Sequence, residues 1–198
     1  MVLVINKYYN QVNIEQLHQL KETNICKKLN QIFLLNKADL SEFNAPFIFY
    51  DSPFLSDKVQ GLQLSVIKEI GNKLGRKFKL NLHPSSLLIK KEVQNYITKS
   101  SMTIEAQCLN ENISKQTVIS IMSTVGITPI LMFGQSPRVI MLYRLIDIKS
   151  LHQLNSVYFN FIELFVKKYK EKITFYIPES KSELFSILEI INSSIKEN

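Results

Sequence analysis

The sequence predicts an α/β fold: a mixed sheet with a βαβ unit flanked by helices, plus an N-terminal helical lead-in and a C-terminal helix. Three observations predict it. "FIFY" (47–50) is a short apolar run closed by Asp51, Ser52 and Pro53, as for a buried strand entering a turn. Val59, Leu62, Val66, Ile67, Ile70 and Leu74 then fall on one face at helical spacing. "KFKLNLH" (77–83) alternates, with Phe78, Leu80 and Leu82 on one side and Lys77, Lys79, Asn81 and His83 on the other, which is the period of a strand. Strand, helix and strand with short connections imply parallel neighbours and a right-handed crossover.

Taken in order, the elements begin with an irregular amphipathic helix over 14–35, marked by Ile14, Leu17, Leu20, Leu29 and Phe33. It belongs to an N-terminal extension, 1–46. Ser56 or Asp57 caps the helix of the βαβ unit, and Gly75 stops it. The middle is open to two readings: "SMTIEAQCL" is compatible with a strand, and "SKQTVISIMSTV" with a helix or a strand. Ile127, Ile130, Leu131, Met132 and Phe133 read as a short buried strand closed by Gly134. Ser136 with Pro137 reads as an N-cap followed by Pro at the first helical position, and Val139, Leu142, Tyr143 and Ile146 continue that helix.

Tyr158, Phe161, Ile162, Phe165 and Tyr169 predict a helix over 157–170, and "KITFYIP" a strand. The last helix opens with a capping box, Ser180 and Glu183, and carries a stripe of Leu184, Ile187, Leu188, Ile191 and Ile195. The chain thus divides into 1–46, an α/β domain over 47–150, and a C-terminal helical region over 151–198.

Composition narrows the function. With 198 residues, 45% hydrophobic and 21% charged, the chain can bury a core without staples. Cys26 and Cys108 are far apart and match no disulfide or metal motif, so they read as free thiols in a reducing compartment. The start "MVLVINKYY" has neither a secretory nor a transit pattern. The formal charge of +7 favours an anionic partner.

The uncharged run 116–137 is long enough to cross a bilayer, but Gly126, Pro129 and polar side chains such as Gln116, Thr117, Ser120, Ser123, Thr124, Thr128 and Gln135 interrupt it, so two shorter elements explain it better and a membrane is not expected. Its glycines match no phosphate loop or dinucleotide fingerprint. His18, His83 and His152 lack ligand spacing, so no metal site and no cofactor is expected. Asp51 stands at a strand end, where α/β enzymes often place a carboxylate, but Asp before Ser-Pro is also a turn former. Nothing in the sequence points to a catalytic set, and no enzyme is expected; a metal-dependent nuclease around Asp51 and Glu69 rests on element order alone.

Lys77, Lys79 and His83 on one strand face, with Arg76 before and Lys90 and Lys91 after, make a dense basic surface. Lys58, Lys68 and Lys73 lie on the neighbouring helix. Such a face is solvated, guards a sheet edge, or binds phosphate. No aromatic residues interleave with it, which points to backbone contact rather than base stacking. The stripe of the last helix packs on its own domain or on a partner helix.

The stretch "FIFYDSPFLSDKVQGLQLSVIKEIGNKLGRKFKLNLHPSSLLIKK", followed by "GITPILMFG" and "SPRVIMLYRL", resembles the ribosomal stalk-base family, the large-subunit proteins that carry the acidic stalk dimers. The resemblance spans roughly residues 47–148; Gly126, Thr128 and Pro129 nearly reproduce the glycine, proline and threonine of that family's Gly-Pro-Thr strand. The family's Lys-Asn-Thr-Leu motif reads His83-Pro84-Ser85-Ser86-Leu87 here.

The resemblance implies a non-enzymatic, rRNA-binding protein of the large ribosomal subunit, serving translation within a ribonucleoprotein. Lys58, Lys68, Arg76, Lys77, Lys79, His83, Lys90 and Lys91 are its expected rRNA contacts. Leu184, Ile187, Leu188 and Ile191 form the expected face for acidic stalk proteins. Neighbouring ribosomal proteins are further expected partners, and the alternative function is an accessory subunit of an organellar membrane complex. Only three of 24 basic residues are Arg, Ala occurs only at 38, 45 and 106, and Ile and Asn abound. That bias toward A/T-rich codons implies an organelle-encoded protein of a mitochondrial ribosome, or a bacterium or parasite with an A/T-rich genome.

Overall fold

Five short apolar segments form one sheet: β1 Phe47–Tyr50, β2 Phe78–Asn81, β3 Thr117–Ser120, β4 Arg138–Met141 and β5 Phe175–Tyr176. The structure, a computed structural model, describes residues 41–52, 57–99, 102–145, 156–169 and 174–196, with single helical positions at 24, 27, 28 and 31. Apart from those four positions, the helix expected over 14–35 lies outside the described residues, as do Ser56, Cys26, His18 and His152.

The strand order is β2-β1-β3-β4-β5, and every described pairing is parallel. The α/β class with a βαβ unit flanked by helices is as the sequence predicts, and the sheet is more uniform than a mixed one. Phe47 is in register with Phe78 and Thr117, and Thr117 with Arg138, so the strands start level at one pole. All four residues of β1 and of β3 are buried, as both faces of a parallel sheet are covered.

Helix α1, Asp57–Leu74, links β1 to β2 and buries Val59, Val66, Ile67, Ile70 and Leu74. It stops at Gly75, whose φ of +57° suits only glycine without strain. Gly71 sits inside this helix because the Tyr96 ring packs where a Cβ would stand, with the Tyr96 hydroxyl donating to Asn72 Oδ1 at 2.9 Å. The short helix α2, Lys90–Val93, leads into 96–98, which runs beside β2: Leu80 N donates to Tyr96 O at 2.7 Å and Thr98 N to Leu80 O at 3.0 Å. The β2 edge of the sheet is thereby paired at Leu80.

Helices α3, Ile104–Asn110, and α4, Thr128–Phe133, pack with Phe43, Ile48, Tyr50 and Val118 in a smaller core. Phe47, Phe49, Phe78 and Leu80, alternating to the other face, join α1, α5 (Ser156–Tyr169) and α6 (Lys181–Lys196) in the larger one. The described part of 151–198 adds β5 to the sheet and α6 to this core, so residue 150 does not separate two packing units.

Two expectations are corrected. Residues 128–133 are helical rather than a strand, and 138–141 are a strand rather than part of a helix. Pro129 occupies the first turn of α4, and Gly134, at φ +58°, closes it by donating its N–H to Pro129 O. The punctuation of a strand end is therefore that of a helix stop. Val139, Ile140 and Met141 are all buried, which in a covered parallel strand leaves a continuous apolar run with no period to read. "IEAQCLN" is a helix, started by Thr103, whose side chain accepts from Ala106 N at 3.3 Å.

Candidate nucleic-acid interface

The eight basic residues singled out in the sequence do not form one compact patch. Lys58 opens α1 and Arg76 follows its end, roughly 25 Å away at 1.5 Å per residue. Lys58 and His83 lie toward the carboxyl-terminal pole of the sheet. Lys68, Lys90 and Lys91 are exposed along the side wall made by α1 and α2, and Lys68 pairs there with Glu92 at 2.9 Å. Arg76 and Lys77 occupy the 3-10 turn Gly75–Lys77 at the amino-terminal pole.

Lys77 and Lys79 do not project together as a solvent face. The Lys77 ammonium donates to Asn192 Oδ1 of α6 at 2.7 Å, and Lys79 is half-buried on β2. Asn81 is buried, donating to Met102 O at 2.6 Å and accepting from Met102 N at 3.3 Å. Because chain covers both faces of the sheet, the Asn81 side chain of β2 meets protein groups rather than water. Phe78 and Leu80 face the core as expected.

The stripe of α6 is a second correction. Leu184 and Leu188 are fully buried and Ile191 is 2% exposed, all in the core of the sheet, while Ile187 is half-buried. The helix returns over the sheet after β5 and closes its own fold. Its start is capped much as the sequence implies: Ser180 Oγ accepts from Glu183 N at 3.1 Å, and the Glu183 carboxylate accepts from Glu179 N at 2.7 Å.

The amino-terminal pole holds cations that the sequence reading passed over. A groove of about 620 Å³ is lined by Asn44 and Pro46 before β1, Lys115 and Gln116 before β3, Arg138 at the start of β4, and Ser194 and Ile195 near the end of α6. Arg138 donates from Nη1 to Lys115 O at 3.2 Å, which lays the guanidinium beside the Lys115 backbone. Beneath the groove, Gln116 Nε2 donates to Phe43 O at 2.5 Å, and Gln107 Nε2 donates to Gln116 Oε1 at 2.9 Å and Phe43 O at 3.2 Å. These glutamines fix the 43–46 segment to β3 and α3. The available signal was a cation directly before an apolar run in "RKF", "KQTVIS" and "PRVIM".

The carboxyl-terminal pole is built differently. Asp51 is buried just past β1, accepting from Gln63 Nε2 of α1 at 2.5 Å and from His83 N at 3.4 Å. Ser52 Oγ, Ser120 Oγ and Gln63 Oε1 are buried there without a hydrogen-bond partner among the described residues. The Tyr50 hydroxyl donates to Gln107 Oε1, and burial pushes its pKa well above the usual phenol value. Asp51 and Glu69 do not converge. Glu69 lies further along α1 and accepts from Lys181 Nζ at 2.5 Å and Ser65 Oγ at 2.8 Å, and the Lys181 hydrogen bond holds its carboxyl below the usual range. Among the described residues no group of three or more His, Cys, Asp or Glu side chains comes together.

No helix among the described residues is long and apolar enough to cross a membrane. The uncharged run 116–137 divides into β3, a 3-10 turn and α4. Compared with known protein families, curated proteins and solved structures, the chain matches none of them.

Proposed function

We propose that the chain is a structural, non-enzymatic protein of the large ribosomal subunit that binds rRNA, of the stalk-base kind its 47–148 region resembles. The observation that carries the reading is that Arg76, Lys90 and Lys91 are exposed and make no ion pair among the described residues, in a chain of net charge +7. Cations left without carboxylates suit a phosphate backbone, whose binding releases counterions and weakens steeply with salt. Neighbouring ribosomal proteins complete the partner set. Any hold on acidic stalk proteins falls to surfaces other than the α6 stripe, since Leu184, Leu188 and Ile191 are core residues. The codon bias supports a mitochondrial ribosome, with the cytoplasm of an A/T-rich bacterium or parasite as the alternative.

The test is cosedimentation with ribosomal subunits on a sucrose gradient. The full chain should travel with the large subunit at low salt and leave it at high salt. The triple variant R76E/K90E/K91E should bind rRNA more weakly, with a salt dependence shallower by about two to three logarithmic units per decade. A chain that stays at the top of the gradient at every salt concentration sinks this reading.

A further inference from the structure

A parallel sheet collects at one pole whatever precedes its strands. Here that pole carries Lys115 and Arg138 in the groove and Arg76 at its β2 side, although sequence separates them widely. Neighbouring strands lie about 5 Å apart, so β2 to β4 spreads these cations over roughly 15 Å. Among the described residues no carboxylate lines the groove. Arg138 uses one N–H on the Lys115 carbonyl, and the remainder of its fork has no partner among the described residues. Asn44 adds an amide suited to sugar and phosphate oxygens, the Ser194 hydroxyl is already donated to Ile191 O at 2.7 Å, and no aromatic ring among the described residues lines the groove to stack a base.

We infer that this amino-terminal groove is the docking site for an RNA sugar-phosphate backbone, with Lys115 and Arg138 as its central phosphate contacts and Arg76 extending the track. The inference rests on the RNA-binding reading above but names a surface distinct from the Lys90–Lys91 wall. It identifies the backbone as ligand, so binding should be tolerant of base sequence and sensitive to salt.

The experiment titrates the full chain against a labelled single-stranded RNA of about 20 nucleotides and mixed sequence, followed by fluorescence anisotropy. The variants are K115E/R138E in the groove and K90E/K91E on the wall, each with a melting curve. A loss of roughly tenfold or more for the groove pair, exceeding that of the wall pair, is the expected result. Wild-type affinity in K115E/R138E with a loss only in K90E/K91E overturns the groove and leaves the rRNA reading standing. No binding by the wild-type chain overturns both. Should K115E/R138E fail to fold, K115Q/R138Q keeps side-chain length and polarity: weakened binding at an unchanged melting temperature upholds the inference, and undiminished binding ends it. Polyglutamate serves as the acidic-protein probe. If it binds as tightly as RNA through the same two residues, an acidic polypeptide is the occupant and the inference fails.

Discussion

The two poles of the sheet show different residues around their strand ends. At the carboxyl-terminal pole, polar groups turn inward: Asp51 is engaged by the Gln63 amide and the His83 N–H, and Ser52 and Ser120 are buried. At the amino-terminal pole, Lys115 and Arg76 turn outward around an open groove. Open α/β sheets place ligand crevices at the carboxyl ends, where the strand order reverses. That reversal falls here between β1 and β3, beside Asp51, yet Arg76 and Lys115, exposed and in no ion pair among the described residues, stand at the other end. Topology marks where a crevice can form, and the residues at each end determine whether it presents chemistry to a ligand.

The sharpest way to break the contrast is to break α6, which closes the core and ends beside the groove. Leu188→Asp puts a charge into that core and should cost upward of about 4 kcal/mol, abolishing the cooperative melt. A folded Leu188→Asp protein that had lost only a protein partner would restore the stripe as an interface. Next comes Asp51→Ala, which strands the Gln63 amide and the His83 N–H. It should cost about 1–3 kcal/mol, read from denaturant midpoints, with RNA affinity of the folded protein unchanged. A variant with normal stability and weakened RNA binding would mean that the carboxyl pole is the working surface.

Alkali probes the buried side of the contrast. Tyr50 has a raised pKa in the folded state, so its contribution is complete below about pH 10, the unfolded value, and declines as pH rises above it. Tyr50→Phe should lose about 1 kcal/mol at neutral pH, because Gln107 loses its donor, and should flatten the alkaline decline. Unaltered pH dependence would assign the decline to other groups.

The smallest effect belongs to Glu69 and Lys181, which tie α1 to α6 at the surface. Glu69 has a depressed pKa, so its contribution is present above the ordinary carboxylate range and is lost as pH falls through the folded value. Both side chains are more than a third exposed, so Glu69→Gln should change stability by only a few tenths of a kcal/mol.

The sequence was most readable where period and burial agree. The β1–α1–β2 unit, α5 and α6 each carry an apolar stripe or alternation that the fold uses as written. It was least readable over 104–141. There α3 and α4 are only seven and six residues long, and β3 and β4 only four, too short for a helical period to separate from a buried run. Pro129 and Gly134 were legible as punctuation but not as the start and stop of a helix. The groove was illegible for a different reason. Lys115 and Arg138 are ordinary surface cations in the sequence, and only parallel pairing brings them to one end. Nor could the sequence say that Lys77 reaches Asn192, because that bond depends on where α6 returns.

The strip 96–98 along β2 has a consequence for how this molecule meets others. With Leu80 already donating and accepting there, a foreign β-segment finds no free rungs opposite that residue. Pairing by a second, self-templating strand is therefore blocked at Leu80.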